Sequence, residues 1–195
     1  SRLQATYPEF LIIPEGGTSP LAIQGVAEVC NEINQQPEID TIMVPVGSGG
    51  TLAGIVAGAK PSQEVIGVAV LKNADYLKKE VESLLPQHAQ KQTNWQLETG
   101  YHCGGYAKFS PENLEKMREF MNHSKLPIEP IYSGKLMLAL LNMVTEQRFA
   151  PGHKIAVVHT GGLQGLNGLA ERQLINSDHW PVPTLPAQQK SVPDH

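Results

Sequence analysis
The sequence predicts an α/β domain, an open and mostly parallel sheet with helices on both faces. Three observations carry this. Short apolar runs alternate with helix-period stretches along most of the chain. The runs are almost continuously apolar, as strands covered on both faces must be. Two glycine-rich turns each stand between a strand and a helix, where parallel sheets gather their ligands.

The elements follow in order. The run FLII, Phe10 to Ile13, reads as a buried strand. Ser19 then caps a helix whose first position is Pro20, where the absent N–H costs nothing. Ala22, Val26, Val29 and Ile33 share one face of that helix. TIMVPV (Thr41–Val46) is the second strand, and TLAGIVAGA (Thr51–Ala59) is a short helix of small residues. EVIGVAV (Glu64–Val70) is a third strand, followed by an amphipathic helix over Ala74–Leu85. A further helix opens at Ser110–Pro111 with the same cap and proline. Ser133–Arg148 is helical, and KIAVVH (Lys154–His159) is a strand ending in Thr160-Gly161-Gly162 before a last helix. The stretch from Pro86 to Gly105 is the least regular, and such loops often line sites. Residues 1–175 are expected to form the domain, and the proline-rich, polar residues 176–195 an extended or disordered tail.

Composition excludes several classes. With 195 residues, 41% hydrophobic and 17% charged, the chain reads as an ordinary globular protein large enough for a real core. A formal net charge of -4 without a basic stripe argues against a nucleic-acid partner. No apolar run approaches the roughly 18 residues that span a bilayer, and none resembles a signal peptide, so no membrane partner is expected. Cys30 and Cys103 are too few for a disulfide framework, which makes a reducing cytoplasm the expected compartment. Ser1 is not an initiator, and an upstream portion is expected.

The turn MVPVGSGGTLAG, Met43 to Gly54, raises the question of function. Gly47, Gly49 and Gly50 let the backbone curl so that successive N–H groups converge at a helix N-terminus, and Ser48 and Thr51 add hydroxyls. A Walker A loop needs a lysine before the Ser/Thr, and Gly50 stands there. A dinucleotide fingerprint from Gly47 needs glycine where Leu52 is, and a nucleophile elbow on Ser48 needs glycine where Val46 is. A bare tight turn is the plain alternative; a phosphate seat is favoured. His159 to Gly165, HTGGLQG, repeats the arrangement after another strand, and Tyr132 and Gly134 of PIYSGKLMLALL lie between the two.

Four blocks, IPEGGTSPLAIQGVAE, VPVGSGGTLAG, IEPIYSGKLM and VVHTGGLQGL, closely resemble, in order, those of the pyridoxal-phosphate enzymes related to D-cysteine desulfhydrase and 1-aminocyclopropane-1-carboxylate deaminase. These have the tryptophan-synthase-β-like fold type, and the likeness runs from about Pro14 to Gly168. It implies pyridoxal 5'-phosphate as cofactor, a small amino-acid substrate and, for the full-length protein, a homodimer. It places Gly47, Ser48, Gly49, Gly50 and Thr51 on the cofactor phosphate and Thr160 by the pyridine nitrogen. A hydroxyl there leaves the cofactor a milder electron sink than a carboxylate would. The plain reading of Thr160 is a helix N-cap. Tyr132 and, less securely matched, Tyr106 in CGGYAKF correspond to active-site positions that orient substrate or relay a proton. His102 and Cys103 beside Tyr106 lack a second ligand pair at zinc-site spacing, so no metal is expected.

The chain departs from that family in three ways. It resembles only the C-terminal part, the Schiff-base lysine of the early G-x-K-x-R-K motif has no counterpart, and most of the smaller closing domain would be missing. Lys60, Lys72 and Lys135 stand in other contexts. Family members that open the cyclopropane ring carry glutamate after the tyrosine matching Tyr132; here Ser133 follows, which favours D-cysteine desulfhydrase-like β-elimination. The expectation is therefore a lyase or deaminase whose isolated C-terminal part is inactive. The alternatives are a non-catalytic anion-binding α/β module and, against Val46, a hydrolase using Ser48.

Overall fold
A computed structural model describes residues 2–36, 38–90 and 94–182. Its centre is β1 (Thr41–Val46), buried along its whole length. β2 (Glu64–Ala69) runs parallel on one side, with Thr41 opposite Glu64 and Val46 opposite Ala69. On the other side lies β4 (Ile155–Val157), also parallel. β3 (Trp95–Glu98) pairs parallel with the far side of β2, so the order is β3-β2-β1-β4. The chain leaves β1 toward β2 and returns to its opposite flank as β4, and a crevice opens at the carboxyl ends of strands where the winding reverses in this way.

Strand alternation explains how both faces are covered. Ile42, Val44 and Val46 share a cluster with α2 (Pro20–Ile33), α3 (Gly50–Gly58) and α4 (Tyr76–Leu84). Met43, Ile66 and Val68 turn the other way, onto Leu136, Ala139 and Met143 of α6 (Ser133–Thr145). A third cluster joins α6 to α5 (Pro111–Ser124) and α7 (Gly165–Glu171) through Met117, Met137, Leu166 and Leu169. Ser19 and Ser110 cap α2 and α5 as their sequences require: each hydroxyl accepts an N–H from three residues on, at 3.2 and 3.1 Å.

Several expectations are corrected. Phe10 to Ile13 is no strand: Leu11 is 88% exposed, and none of the sheet's strands pairs with the segment. An apolar run becomes a strand only where a neighbour takes its backbone groups. It follows instead a short helix that the apolar pattern does not signal, α1 (Arg2–Thr6). β3 arises inside the stretch read as irregular; its Gln96 and Glu98 obscure the apolar signal, as suits an edge strand. On α2 the deepest residues are Ile23 and Cys30, with Val26, Val29 and Ile33 packed beside them, so the buried stripe is wider than the predicted face. α6 stops at Thr145 rather than Arg148, and β4 is shorter than Lys154–His159. Of the segment from 176 on, Ser177–His179 form a 3-10 turn and Trp180 is buried; residues 183–195 lie outside the described residues.

Candidate active site
β1 and β4 are neighbours, so the two glycine turns that follow them meet at one edge of the sheet. A cleft of about 760 Å³ opens there. Gly47, Ser48, Gly49, Thr51, Tyr132 and Thr160 line it, and Tyr106 closes it from the loop after β3. Gly50 stands behind this wall, against Thr18. The structure thus brings all eight sequence-selected residues around one cleft.

The first turn is built by backbone. Gly49 has φ 90° and is the N-cap of α3, which begins at the next residue. A Cβ at Gly49 would stand 2.9 Å from the Val81 side chain, so this corner needs glycine for both conformation and space. The first N–H groups of α3 have no acceptor within the helix and carry its positive dipole end. Ser48 is exposed, and its Oγ lies 3.0 Å from the Thr18 hydroxyl, which steadies the turn from the segment before α2. Such an arrangement can bind an anion through dipoles alone. Among the described residues lining the cleft there is no lysine, arginine or histidine.

The second turn is braced differently. The Gly161 N–H donates to His159 Nδ1 at 3.0 Å, so the proton sits on Nε2, which donates to the Pro127 carbonyl at 3.0 Å. α7 begins only at Gly165, with Gln164 as its N-cap, so Thr160 is not the cap. Its hydroxyl is left to the cleft.

Tyr132 is set by a buried carboxylate. Glu129, 2% exposed, accepts N–H bonds from Tyr132 and Ser133 on Oε1 (2.8 and 2.7 Å) and from Ile131 on Oε2 (2.7 Å). It thereby fills the N-terminus of α6. A Cβ on Gly134 would stand 2.9 Å from the Glu129 carbonyl, which explains the glycine in YSGK. The Ser133 hydroxyl is turned inward, 3.0 Å from Glu129 Oε1. The Tyr132 ring meets that of Tyr106 edge-on at 6.0 Å. Burial, and then the Tyr106 phenol, push the Tyr132 hydroxyl up to about 12, so at neutral pH it is a proton donor and not a phenolate base.

Sequence reasoning missed Thr18, and with it Glu15 and Gly16 on the rim and Tyr76 and Glu80 of α4. For the first three the sequence carries a signal, since all lie in the block IPEGGTSPLAIQGVAE. The α4 residues carry no local signal, because only the packing of α4 beside α3 brings them there. Lys135, fully buried, lies outside the cleft lining.

The geometry fits a phosphate-bearing cofactor: a glycine corner with no room for a side chain, an open helix N-terminus, two phenols and a neutral hydroxyl opposite. Comparison with known proteins points the same way. The family described as "Pyridoxal-phosphate dependent enzyme" matches residues 1–161. The chain is similar to a D-cysteine desulfhydrase of Klebsiella pneumoniae, 33% identical over 85% of this chain and 54% of the relative. It is similar also to a bifunctional D-cysteine desulfhydrase/1-aminocyclopropane-1-carboxylate deaminase of Arabidopsis thaliana, 32% identical over 87% of this chain and 45% of the relative. A solved structure of an ACC deaminase homologue superposes with a TM-score of 0.75 at 26% identity, covering 89% of this chain and 55% of the other. The chain spans about half the length of the curated relatives it matches.

Proposed function
The chain belongs to the pyridoxal-phosphate dependent enzymes, and from that premise we propose that it is the phosphate-binding half of a lyase acting on a small D-amino acid, with β-elimination from a thiol-bearing substrate as its reaction. The single observation that carries the reading is the position of Ser133. The position after the active-site tyrosine is where a ring-opening deaminase of this family would present an acid; here a serine points inward, bonded to Glu129. Pyridoxal phosphate supplies a sink for electrons released at the substrate α-carbon. Gly47 to Thr51 would hold its phosphate, and the Thr160 hydroxyl in the same cleft would add no charge to deepen the sink. Tyr132, neutral at working pH and with its ring beside Gly47, would orient substrate and donate a proton. Elimination needs little further help, because a departing thiolate carries off the electrons, whereas a cyclopropane ring has no such leaving group. The D preference rests on the named relatives alone.

The lysine that tethers the cofactor is assigned to the half of the family fold that this chain does not span. This half by itself binds the phosphate and turns over no substrate. The cytoplasm is the compartment that two unpaired cysteines suit best; no helix among the described residues is long and apolar enough to cross a membrane. The full-length protein is proposed to be a homodimer. The test is an assay of D-cysteine, β-chloro-D-alanine and 1-aminocyclopropane-1-carboxylate side by side, with the protein carrying the whole family fold. Pyruvate from the first two and little 2-oxobutyrate from the third is expected; faster turnover of the cyclopropane compound overturns the reading.

A further inference from the structure
Lys135 sits in the first turn of α6 and is fully buried. Its ammonium donates to two backbone carbonyls, Gly105 at 2.7 Å and Val70 at 3.1 Å. Burying a charge among carbonyls without a bonded carboxylate is costly, and an apolar residue of similar length would fill the space at less expense. What the charge holds is unusual. Cys103, Gly104, Gly105 and Ala107 have φ of 54, 99, 129 and 50°, left-handed at four of five positions. Such backbone is unfavourable at each non-glycine residue and persists only where its surroundings enforce it. Inside the loop the restraints are short-range: Gly104 N–H to His102 Nδ1, Gly105 N–H to the His102 carbonyl, Lys108 N–H to the Gly105 carbonyl. Lys135 supplies the tie from the loop to the core, through Gly105 to α6 and through Val70 to the end of β2. Tyr106 is the next residue after Gly105, and its ring lies against Tyr132.

We propose that Lys135 is the positioning residue of the cleft: its ammonium clamps the strained loop at the Gly105 carbonyl and so holds Tyr106 against Tyr132. The first turn of α6 then sets both phenols, Tyr132 through Glu129 and Tyr106 through Lys135. The importance of this pair to catalysis rests on the function proposed above; the clamp does not, and its test involves no turnover.

The test compares amide hydrogen exchange in the chain and in Lys135→Met. Exchange at residues 102–108 is expected to quicken about tenfold or more while β1 and β2 change little, the mark of local opening. Unchanged loop exchange, or equal acceleration throughout, overturns the clamp. The contact between the two rings gives a second readout that a purely structural role would not move. At neutral pH, nuclear Overhauser contacts between the Tyr106 and Tyr132 rings, whose centroids lie 6.0 Å apart, are expected in the unaltered chain and are expected to weaken or vanish in Lys135→Met. Unaltered contacts between the rings in a folded variant overturn the link to Tyr106. If Lys135→Met does not fold, the unaltered chain decides: slowly exchanging Lys135 Nζ protons with nuclear Overhauser contacts to Gly105 are expected, and their absence overturns the proposal. These outcomes stand whether or not D-cysteine proves to be a substrate.

Discussion

Two helices open beside the same cleft, and they treat their N-termini in opposite ways. α6 is capped by a carboxylate from its own chain: Glu129 takes the N–H groups of Ile131, Tyr132 and Ser133, so its positive end is already satisfied. α3 has no such carboxylate. Its N-cap is Gly49, with no side-chain cap bond, and Gly49, Thr51 and Leu52 at its start line the cleft. The difference separates a structural helix start from a candidate ligand seat. An N-terminus filled from within positions side chains, here Tyr132, whereas one left open calls for an anion from outside. The turn after β4 makes the same point, since it has the glycines but no immediate helix, and a histidine brace does the work of shaping it.

The comparison breaks most readily at Gly49. In Gly49→Val a β-branched residue is forced to φ 90° with its Cβ against Val81, which closes the seat on α3. Affinity for pyridoxal phosphate, measured by equilibrium dialysis, is expected to fall about a hundredfold or more while far-ultraviolet circular dichroism stays that of the folded chain. Undiminished affinity would place the phosphate elsewhere. Tyr132→Phe addresses the other helix. In the enzyme carrying the whole family fold, turnover is expected to fall on the order of a hundredfold, with cofactor binding nearly unchanged, because a positioned proton donor is lost. Equal turnover would return Tyr132 to packing.

Glu129→Gln removes the charge from the anion that α6 carries. Bonds to a charged acceptor exceed neutral ones, so a loss of about 1–3 kcal/mol is expected, read as a melting temperature lowered by about 2–4 °C for each kcal/mol. Phosphate affinity at α3 should not change. A melting temperature equal to that of the unaltered chain would mean that the α6 terminus needs no charge. The smallest effect belongs to His159→Phe. It removes both bonds that brace the second turn, at about 1 kcal/mol, and leaves inorganic phosphate binding within about twofold. A large loss of phosphate affinity there would make the second turn part of the seat.

The architecture was legible because its strands are apolar on both faces. Thr41–Val46 and Glu64–Ala69 sit at or within one residue of their predicted bounds, since buried parallel strands leave an unbroken apolar run. The failures share a cause. Phe10 to Ile13 has the composition of a strand without a partner, and Trp95–Glu98 has a partner without the composition. Pairing is a property of the fold and not of the segment. The site was legible where chemistry demands a residue type locally, as in the glycine corner at 47–50. It was illegible where long-range packing selects the residue. Thr18 against Ser48, Glu129 under Tyr132 and Lys135 under Gly105 are ordinary residues in the sequence; contacts across the fold give them their roles. Thr160 shows the limit of local rules, for a threonine before glycines resembles an N-cap until the helix proves to start five residues later.

The central claim, that α3 is the open seat and α6 the filled one, is tested most directly by titrating the nitrogen-15-labelled chain with inorganic phosphate and following backbone amides. The account predicts saturable shifts at Gly49, Gly50 and Thr51, with Ile131, Tyr132 and Ser133 still and Gly161 and Gly162 nearly so. Shifts at 131–133 or 161–162 without movement at 49–51 would contradict it.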